Sequence, residues 1–137
     1  MQYSKKDDLV GTEYYEVGSE IEKFLGQWEN TNPGTGQIKR INVSEEKGEY
    51  FLHAYGASDD GLIDLGKSKC ALFSSRVDNS IIEGMTTKIE LPFIHIDVAI
   101  NLKYGVMVVQ IYNTFLDGSK RSNYFGREFF HQRHDKN

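Results

Sequence analysis

The sequence is poor in the residues that build covalent or rigid scaffolds. Cysteine occurs once, at Cys70, and proline only twice among 137 residues. A single cysteine excludes a disulfide within the chain and is typical of a reducing compartment, so we expect a cytoplasmic protein. Cys70 lies in an apolar run with no neighbouring base. We therefore predict that it is a small buried side chain and not a nucleophile.

Long apolar runs and blocks of basic charge are also missing. The N-terminus has no apolar stretch of the kind that a signal peptide needs, and charged or polar residues interrupt the most apolar segment, residues 89–102. We expect neither a signal peptide nor a membrane-spanning segment. Sixteen basic side chains against twenty acidic ones give a net charge of −4, which disfavours a nucleic acid as partner.

The chain does contain thirteen glycines and a repeating two-residue period. From Gly26 onward apolar and polar residues alternate, and sequences typical of hairpin turns separate the runs. Because so many short strands with one helix need to hide their edges, we predict an all-β fold: a closed antiparallel up-and-down β-barrel of about eight to nine strands. The predicted strands are residues 26–31, 37–44, 49–57, 63–66, 69–77, 80–87, 88–102, 106–116 and 122–133.

One short helix is predicted ahead of the strands, over residues 13–25. Its apolar residues recur at spacings of three and four, which marks one face of a helix, and Gly26 supplies the positive φ that often ends one. The organisation is then a flexible N-terminus, residues 1–12, followed by a single domain, residues 13–134. The apolar residues of the helix are Tyr14, Val17, Ile21, Phe24 and Leu25.

The segment from Ile94 to Leu102 indicates which strand face is buried. Every even position is aliphatic, whereas His95 and Asp97 take odd positions. The aliphatic set should point into the barrel. His95 and Asp97 would then be outward polar groups, and the alternative is a histidine base oriented by a carboxylate.

The stretch Gly26-Gln27-Trp28 after a short helix resembles the first strand of the calycin superfamily, which comprises lipocalins, fatty-acid-binding proteins and avidins. Longer segments, among them residues 26–41 and 117–124, are similar to small bacterial calycin-like proteins of unassigned function. The resemblance implies that Trp28 closes the base of the barrel and that a basic side chain of the last strand, Arg127 or Arg133, covers its indole. Gly26 would leave room beside the ring.

Two strands offer candidate ligand-binding residues. Residues 50–55 alternate so that Phe51, His53 and Tyr55 share one face; if that face points inward, it places an imidazole and a phenol in the cavity. Gln110 and Tyr112 form a second polar set, with Asn113 on the opposite face of the same strand. Whichever set faces inward gives the cavity another hydrogen-bonding group.

The sequence is compatible with three functions. The first is a binding protein that holds a small hydrophobic or aromatic ligand inside the barrel, and the second is a cofactor-independent cyclase or isomerase with His53, Tyr55 and Tyr112 as its polar groups. The third is an interaction protein with a filled core. We predict no cofactor and no metal site, because His131 and His134 point to opposite faces of a strand. Exposed aromatic residues provide enough apolar area for a homodimer.

Overall fold

The computed structural model describes residues 21–78, 81–118 and 120–134. These residues form one antiparallel sheet of nine strands, which confirms the all-β prediction. Segment 1–12, predicted to be flexible, and most of the predicted helix 13–25 lie outside the described residues. A 3-10 turn at Glu22–Phe24 precedes the sheet. The strands are β1 (Gly26–Asn30), β2 (Ile38–Glu46), β3 (Glu49–Ser58), β4 (Gly61–Lys69), β5 (Ala71–Ser74), β6 (Ile82–Glu90), β7 (Ile94–Lys103), β8 (Val106–Phe115) and β9 (Tyr124–Gln132).

The first and last strands of the chain are neighbours in the middle of the sheet. The strand order is β4-β3-β2-β1-β9-β8-β7-β6-β5, and in the β1–β9 ladder Trp28 lies opposite Gln132. The pairing of the first strand with the last was predicted from the sequence, and it is confirmed. We call the end of the sheet at which β1 begins, at Gly26, the lower end, and the end at which β1 finishes, at Asn30, the upper end.

The two edges of the sheet meet at Cys70. This residue alone separates β4 from β5, and it is buried, as predicted. Its backbone N–H donates to the Tyr50 carbonyl over 2.8 Å, and the Thr87 hydroxyl donates to the Lys69 carbonyl over 2.7 Å. Above this point β4 is paired only with β3 among the described strands, so the sheet is a curled half-barrel with a slit between β4 and β6.

The hairpin turns are mostly where the sequence predicts them. Lys47 and Gly48 adopt φ values of 54° and 84°, and Tyr104 and Gly105 adopt 53° and 81°, the left-handed pair that a tight two-residue hairpin requires.

Two strand boundaries are wrong. The predicted break between strands 63–66 and 69–77 lies inside β4, which continues to Lys69, and the observed break is at Cys70. The predicted break between residues 87 and 88 lies inside β6, which continues to Glu90 before β7 begins at Ile94. The turn contains Pro92, which has no backbone N–H for a ladder, and the Leu91 N–H donates to the Ile94 carbonyl over 2.9 Å.

The inner face of the sheet carries the core. The aliphatic residues of β7 are buried there and His95 and Asp97 lie on the outer face, as expected. A bulge in β2 between Ile38 and Arg40 shifts the alternation, so that both Ile38 and Ile41 point inward. The remaining core includes Ile21, Phe24, Trp28, Val43, Leu52, Ala54, Met85, Ile89, Val98, Ile100, Met107, Val109, Ile111 and Phe130.

Candidate functional site

The face of β3 that carries Phe51, His53 and Tyr55 points away from the interior. The expectation that this aromatic face lines the cavity is therefore wrong. The ladder with β2 decides the orientation, because Ala54 pairs with Ile41 and both are fully buried. The inner face of β3 takes the smaller side chains, and the aromatic rings lie on the outer surface.

His53 and its neighbours form a small outer cluster. The His53 ring nitrogen Nε2 lies 2.7 Å from Asp64 Oδ1, and the ring stacks on Tyr55 with centroids 4.5 Å apart. The hydrogen bond from His53, followed by that from the Gly66 backbone N–H, lowers the pKa of the Asp64 carboxyl. The cluster links β3 to β4 where a bulge interrupts their ladder, and its groups are open to water.

The polar residues of β8 divide between the two faces. Gln110 and Tyr112 lie on the outer face, where the Gln110 amide nitrogen donates to the Tyr112 hydroxyl over 2.8 Å. Gln110 and Tyr112, one of the two sets that could have faced inward, therefore do not line the interior. The opposite alternative holds: Asn113 points inward and is only 5% exposed.

Trp28 lies at the lower end of the sheet, on the inner face. Its side chain is 2% exposed, and the indole N–H donates to the Phe24 carbonyl over 2.9 Å. The Gln132 side chain donates to the Leu25 carbonyl over 2.9 Å. At Gly26, where φ is 117°, an added Cβ would lie 2.9 Å from the Gln132 amide nitrogen. Close approach therefore favours glycine there, and a glutamine ties off a carbonyl at the start of β1.

The two candidate arginines, Arg127 and Arg133, lie on the outer side of the β1–β9 pair. Arg127 is exposed on the outer face of β9, whereas Trp28 points inward. Arg133 Nη1 lies 3.7 Å from Glu29 Oε1, and its backbone N–H donates to the Gln27 carbonyl over 2.8 Å. Covering of the indole by a guanidinium remains a prediction from the calycin resemblance.

Asn123 and Arg121 make contacts that stabilise the fold. Asn123 accepts from the Phe115 backbone N–H over 2.9 Å, and Arg121 forms a 2.6 Å ion pair with Asp117; both fasten the last hairpin. Burial raises the pKa of the Cys70 thiol to about 11, which keeps it protonated at neutral pH. Within residues 21–78, 81–118 and 120–134 no group of three or more metal-ligating side chains converges.

The outer face of β8 and β9 carries the aromatic residues considered for a dimer surface. Phe125 and Phe129 are 64% and 48% exposed, whereas Phe130 is buried. The Phe125 ring lies 5.9 Å from that of Tyr112, between centroids. The homodimer remains a prediction.

A cavity of about 200 Å³ opens at the upper end of the sheet, and we call it the upper cavity. It lies beside the slit, between β4 on one side and the start of β7 on the other. Its walls are mostly aliphatic, and Tyr124 stands at its rim, 46% exposed. The principal lining residues are Gln37, Ile38, Ile63, Leu65, Leu91, Ile94, Ile96, Ile111, Asn113 and Tyr124.

A polar network borders this cavity on the inner face. The Glu128 carboxylate accepts from the side chains of Asn30, Thr35 and Gln37, at 3.0 and 3.1 Å from Thr35 and 3.3 Å from Gln37. Asn30 and Thr35 are themselves buried. We call these four residues the Glu128 network. It joins β9 to the loop between β1 and β2, because three of its members lie on that loop or at its ends.

The network fixes the orientation of the Gln37 amide. A carboxylate only accepts hydrogen bonds, so the Gln37 atom facing Glu128 must be the amide nitrogen. The amide oxygen is then directed elsewhere. That oxygen is buried and has no hydrogen-bond partner among the described residues. Gly126 provides the space, since a Cβ added there would lie 2.9 Å from the Gln37 amide nitrogen.

Asn113 supplies a second unpaired group to the upper cavity. Its amide nitrogen is buried with no partner in the described part of the chain. In the β8–β9 ladder Asn113 lies opposite Tyr124, and Ile111 lies opposite Gly126. Asn113 and the Gln37 amide over Gly126 are therefore diagonal neighbours on the inner face, at a backbone spacing of roughly 7 Å.

A larger depression of about 710 Å³ lies at the lower end. Trp28 and Leu102 contribute apolar surface, but Lys23, Glu83 and Lys103 give it a charged lining. Neither of the two unpaired buried side-chain atoms found in the described residues belongs to it. The upper cavity, although smaller, is the one in which polar groups are held inside an apolar enclosure.

Sequence reasoning identified Asn113 as one alternative and missed Gln37 and Glu128. The alternation in β9 offered a signal, because Glu128 shares a face with Gly126 and Phe130. Two exposed phenylalanines on the other face obscured it. Gln37 sits at the end of a loop, where no period applies.

Within the described residues there is no helix of the length and apolarity needed to cross a bilayer. Comparison with known protein families, with curated proteins and with solved structures finds no match to this chain.

Proposed function

We propose that this protein is a small calycin-like binding protein that holds one compact, mostly apolar molecule in the upper cavity. The observation that carries the proposal is that Gln37 and Asn113, which line the mostly aliphatic upper cavity, each have a buried side-chain atom with no hydrogen-bond partner among the described residues. Buried polar groups are nearly always satisfied in folded proteins. An aliphatic cavity with a few convergent polar groups is the usual form of a small-molecule site.

The volume limits the size of the ligand. Sites for drug-sized molecules start at roughly 300 Å³, whereas a dry apolar cavity of about 150 Å³ holds one benzene molecule. At about 200 Å³ the upper cavity fits one six-membered ring with a short substituent. We therefore propose a one-ring aromatic or alicyclic ligand and not a fatty acid or a polyene.

The slit provides the entrance. We propose that β4 and β5 act as one strand bent at Cys70, so that the sheet is an eight-stranded barrel closed at its lower half and open above. In support, β4 pairs with β3 and β5 pairs with β6 on either side of that residue. Ile63, half exposed on β4, lies at the mouth. The buried, protonated Cys70 is compatible with a cytoplasmic location.

Binding is better supported than catalysis. The cyclase hypothesis relied on His53, Tyr55 and Tyr112, and all three lie on the outer face. Tyr124 is the one titratable side chain among the lining residues of the upper cavity. An enclosure of aliphatic side chains and neutral amides can bind and orient a molecule, but it offers little for proton transfer.

The test uses the whole chain and a one-ring probe. Native mass spectrometry of freshly purified protein should show a co-purified small molecule, and titration with benzyl alcohol should shift the amide signals of Ile38, Ile96 and Ile111 in two-dimensional NMR spectra. Ile96→Phe places a ring in the cavity and should abolish both observations.

Val108→Phe is the matched control, because Val108 belongs to the outer face of β8. It should leave the co-purified mass and the NMR shifts intact. The absence of any adduct together with the absence of probe-induced shifts in the wild-type protein would contradict the proposal.

A further inference from the structure

The two unpaired atoms of the upper cavity have opposite hydrogen-bonding character. The Gln37 amide oxygen can only accept, and its orientation is fixed because Glu128 holds the amide nitrogen. The Asn113 amide nitrogen can only donate. A single ligand group satisfies both when it accepts from Asn113 and donates to Gln37.

The charges around the upper cavity further restrict the class of ligand that it can bind. Among the described residues, those that line the upper cavity include no lysine, arginine or histidine. The nearest ionisable group behind Gln37 is the Glu128 carboxylate. A negatively charged ligand would lose its hydration, gain no cation and face like charge, so the cavity should reject carboxylates.

We infer that the upper cavity selects an uncharged one-ring molecule whose substituent both donates and accepts a hydrogen bond, that is, an alcohol or an amide. The inference rests on the proposed function and adds the chemical class of the ligand. Asn113 donates to the ligand oxygen, and Gln37 accepts from its O–H or N–H. Asn113 lies diagonally across the β8–β9 ladder from Gly126, the Gln37 amide packs over Gly126, and both side chains line the upper cavity.

Four probes of nearly equal size separate these requirements. Toluene has the ring alone, benzyl alcohol and benzamide add a neutral donor and acceptor, and benzoate is isosteric with benzamide but charged. Dissociation constants come from two-dimensional NMR titrations of the wild-type protein. Benzyl alcohol and benzamide should bind about tenfold more tightly than toluene, since each of two hydrogen bonds contributes a few-fold. Benzoate should cause no shift at concentrations that saturate benzamide.

Asn113→Leu removes the donor at nearly constant volume. It should reduce the preference for benzyl alcohol over toluene to about twofold or less. Asn42→Leu makes the same substitution on the outer side of β2 and should preserve the wild-type preference. If Asn113→Leu does not fold, the comparison of benzamide with benzoate on the wild-type protein still decides the question.

The outcomes are distinguishable. Equal affinities for toluene, benzyl alcohol and benzamide would overturn the inference while leaving an apolar binding protein, and so would binding of benzoate as tight as that of benzamide. Failure of all four probes to bind would overturn the proposed function as well.

Discussion

The two ends of the sheet treat their polar groups differently. At the lower end the Trp28 indole N–H and the Gln132 amide both donate to backbone carbonyls. At the upper end the Glu128 carboxylate accepts from three side chains, and two buried amide atoms have no partner among the described residues. At the lower end these side-chain donors are therefore satisfied by the fold itself. The upper end keeps buried polarity that a purely structural core would avoid.

This difference separates stability from selectivity. Substitutions at the lower end should reduce the free energy of unfolding without changing which ligand is preferred. Substitutions at the upper end should change the preference as much as the stability. Substitutions at each end can test this separation, and the largest effect is expected at Trp28.

Trp28→Ala should be the most destabilising change. The side chain is 2% exposed, and truncating a buried tryptophan typically costs about 3–5 kcal/mol of unfolding free energy. Urea denaturation followed by far-UV circular dichroism measures the loss. The affinity ratio of benzyl alcohol to toluene should not change. A loss below about 1 kcal/mol would contradict a core role for the Trp28 side chain.

Glu128→Gln should lower the unfolding free energy by about 2 kcal/mol, because hydrogen bonds to a charged acceptor contribute roughly 1.5–3 kcal/mol. The new amide would also present a donor to the three donors of the Glu128 network. Loss of the negative charge should weaken the rejection of benzoate. Glu90→Gln, at the exposed end of β6, serves as the control for both measurements.

Gly126→Ala should have an intermediate effect, about 1–2 kcal/mol. The added methyl would lie 2.9 Å from the Gln37 amide nitrogen, which must move away from Glu128. At Gly36 an added Cβ meets no heavy atom within 4 Å, so Gly36→Ala should change stability by less than about 0.5 kcal/mol. Equal stabilities of the two variants would show that Gln37 is not held in place.

The smallest effect is the pH dependence contributed by Asp64. The pKa of this carboxyl is lowered in the folded protein by the hydrogen bond from His53, so its contribution is present above the ordinary aspartate pKa of about 3.9 and is lost as the pH falls through the lower folded value. Asp64→Asn should therefore differ most from the wild-type protein near neutral pH. The difference in urea midpoint should vanish in acid.

The sequence predicts the β-strands of this fold better than their faces. In β7 aliphatic residues occupy every even position, so alternation alone places His95 and Asp97 outside, as observed. In β3 both faces carry apolar and hydrogen-bonding side chains, so alternation does not identify the buried face. Only the ladder with β2 shows that Ala54 is buried and His53 is not. Register is a tertiary property, and a one-residue difference exchanges the two faces.

The upper cavity could be predicted only in part. The inward alternative for Asn113 follows from strand alternation in β8. Gln37 and Glu128 meet because the β1–β2 loop folds over the last strand, across 91 residues of sequence. No local pattern encodes such a contact. The chemistry of this cavity therefore depends on the tertiary structure, whereas the hairpins depend on local turn residues.

The junction at Cys70 gives the slit a direction of opening. Because the Thr87 hydroxyl bonds the Lys69 carbonyl beside Cys70, the two sides of the slit, β4 and β6, are held together at its lower end, and any opening would pivot there. The displacement must grow with distance from Cys70, so the Ile63 side moves farther than Lys69 for the same angle. A small rotation near Cys70 would thus open the slit more widely at the upper end, where a ligand would enter.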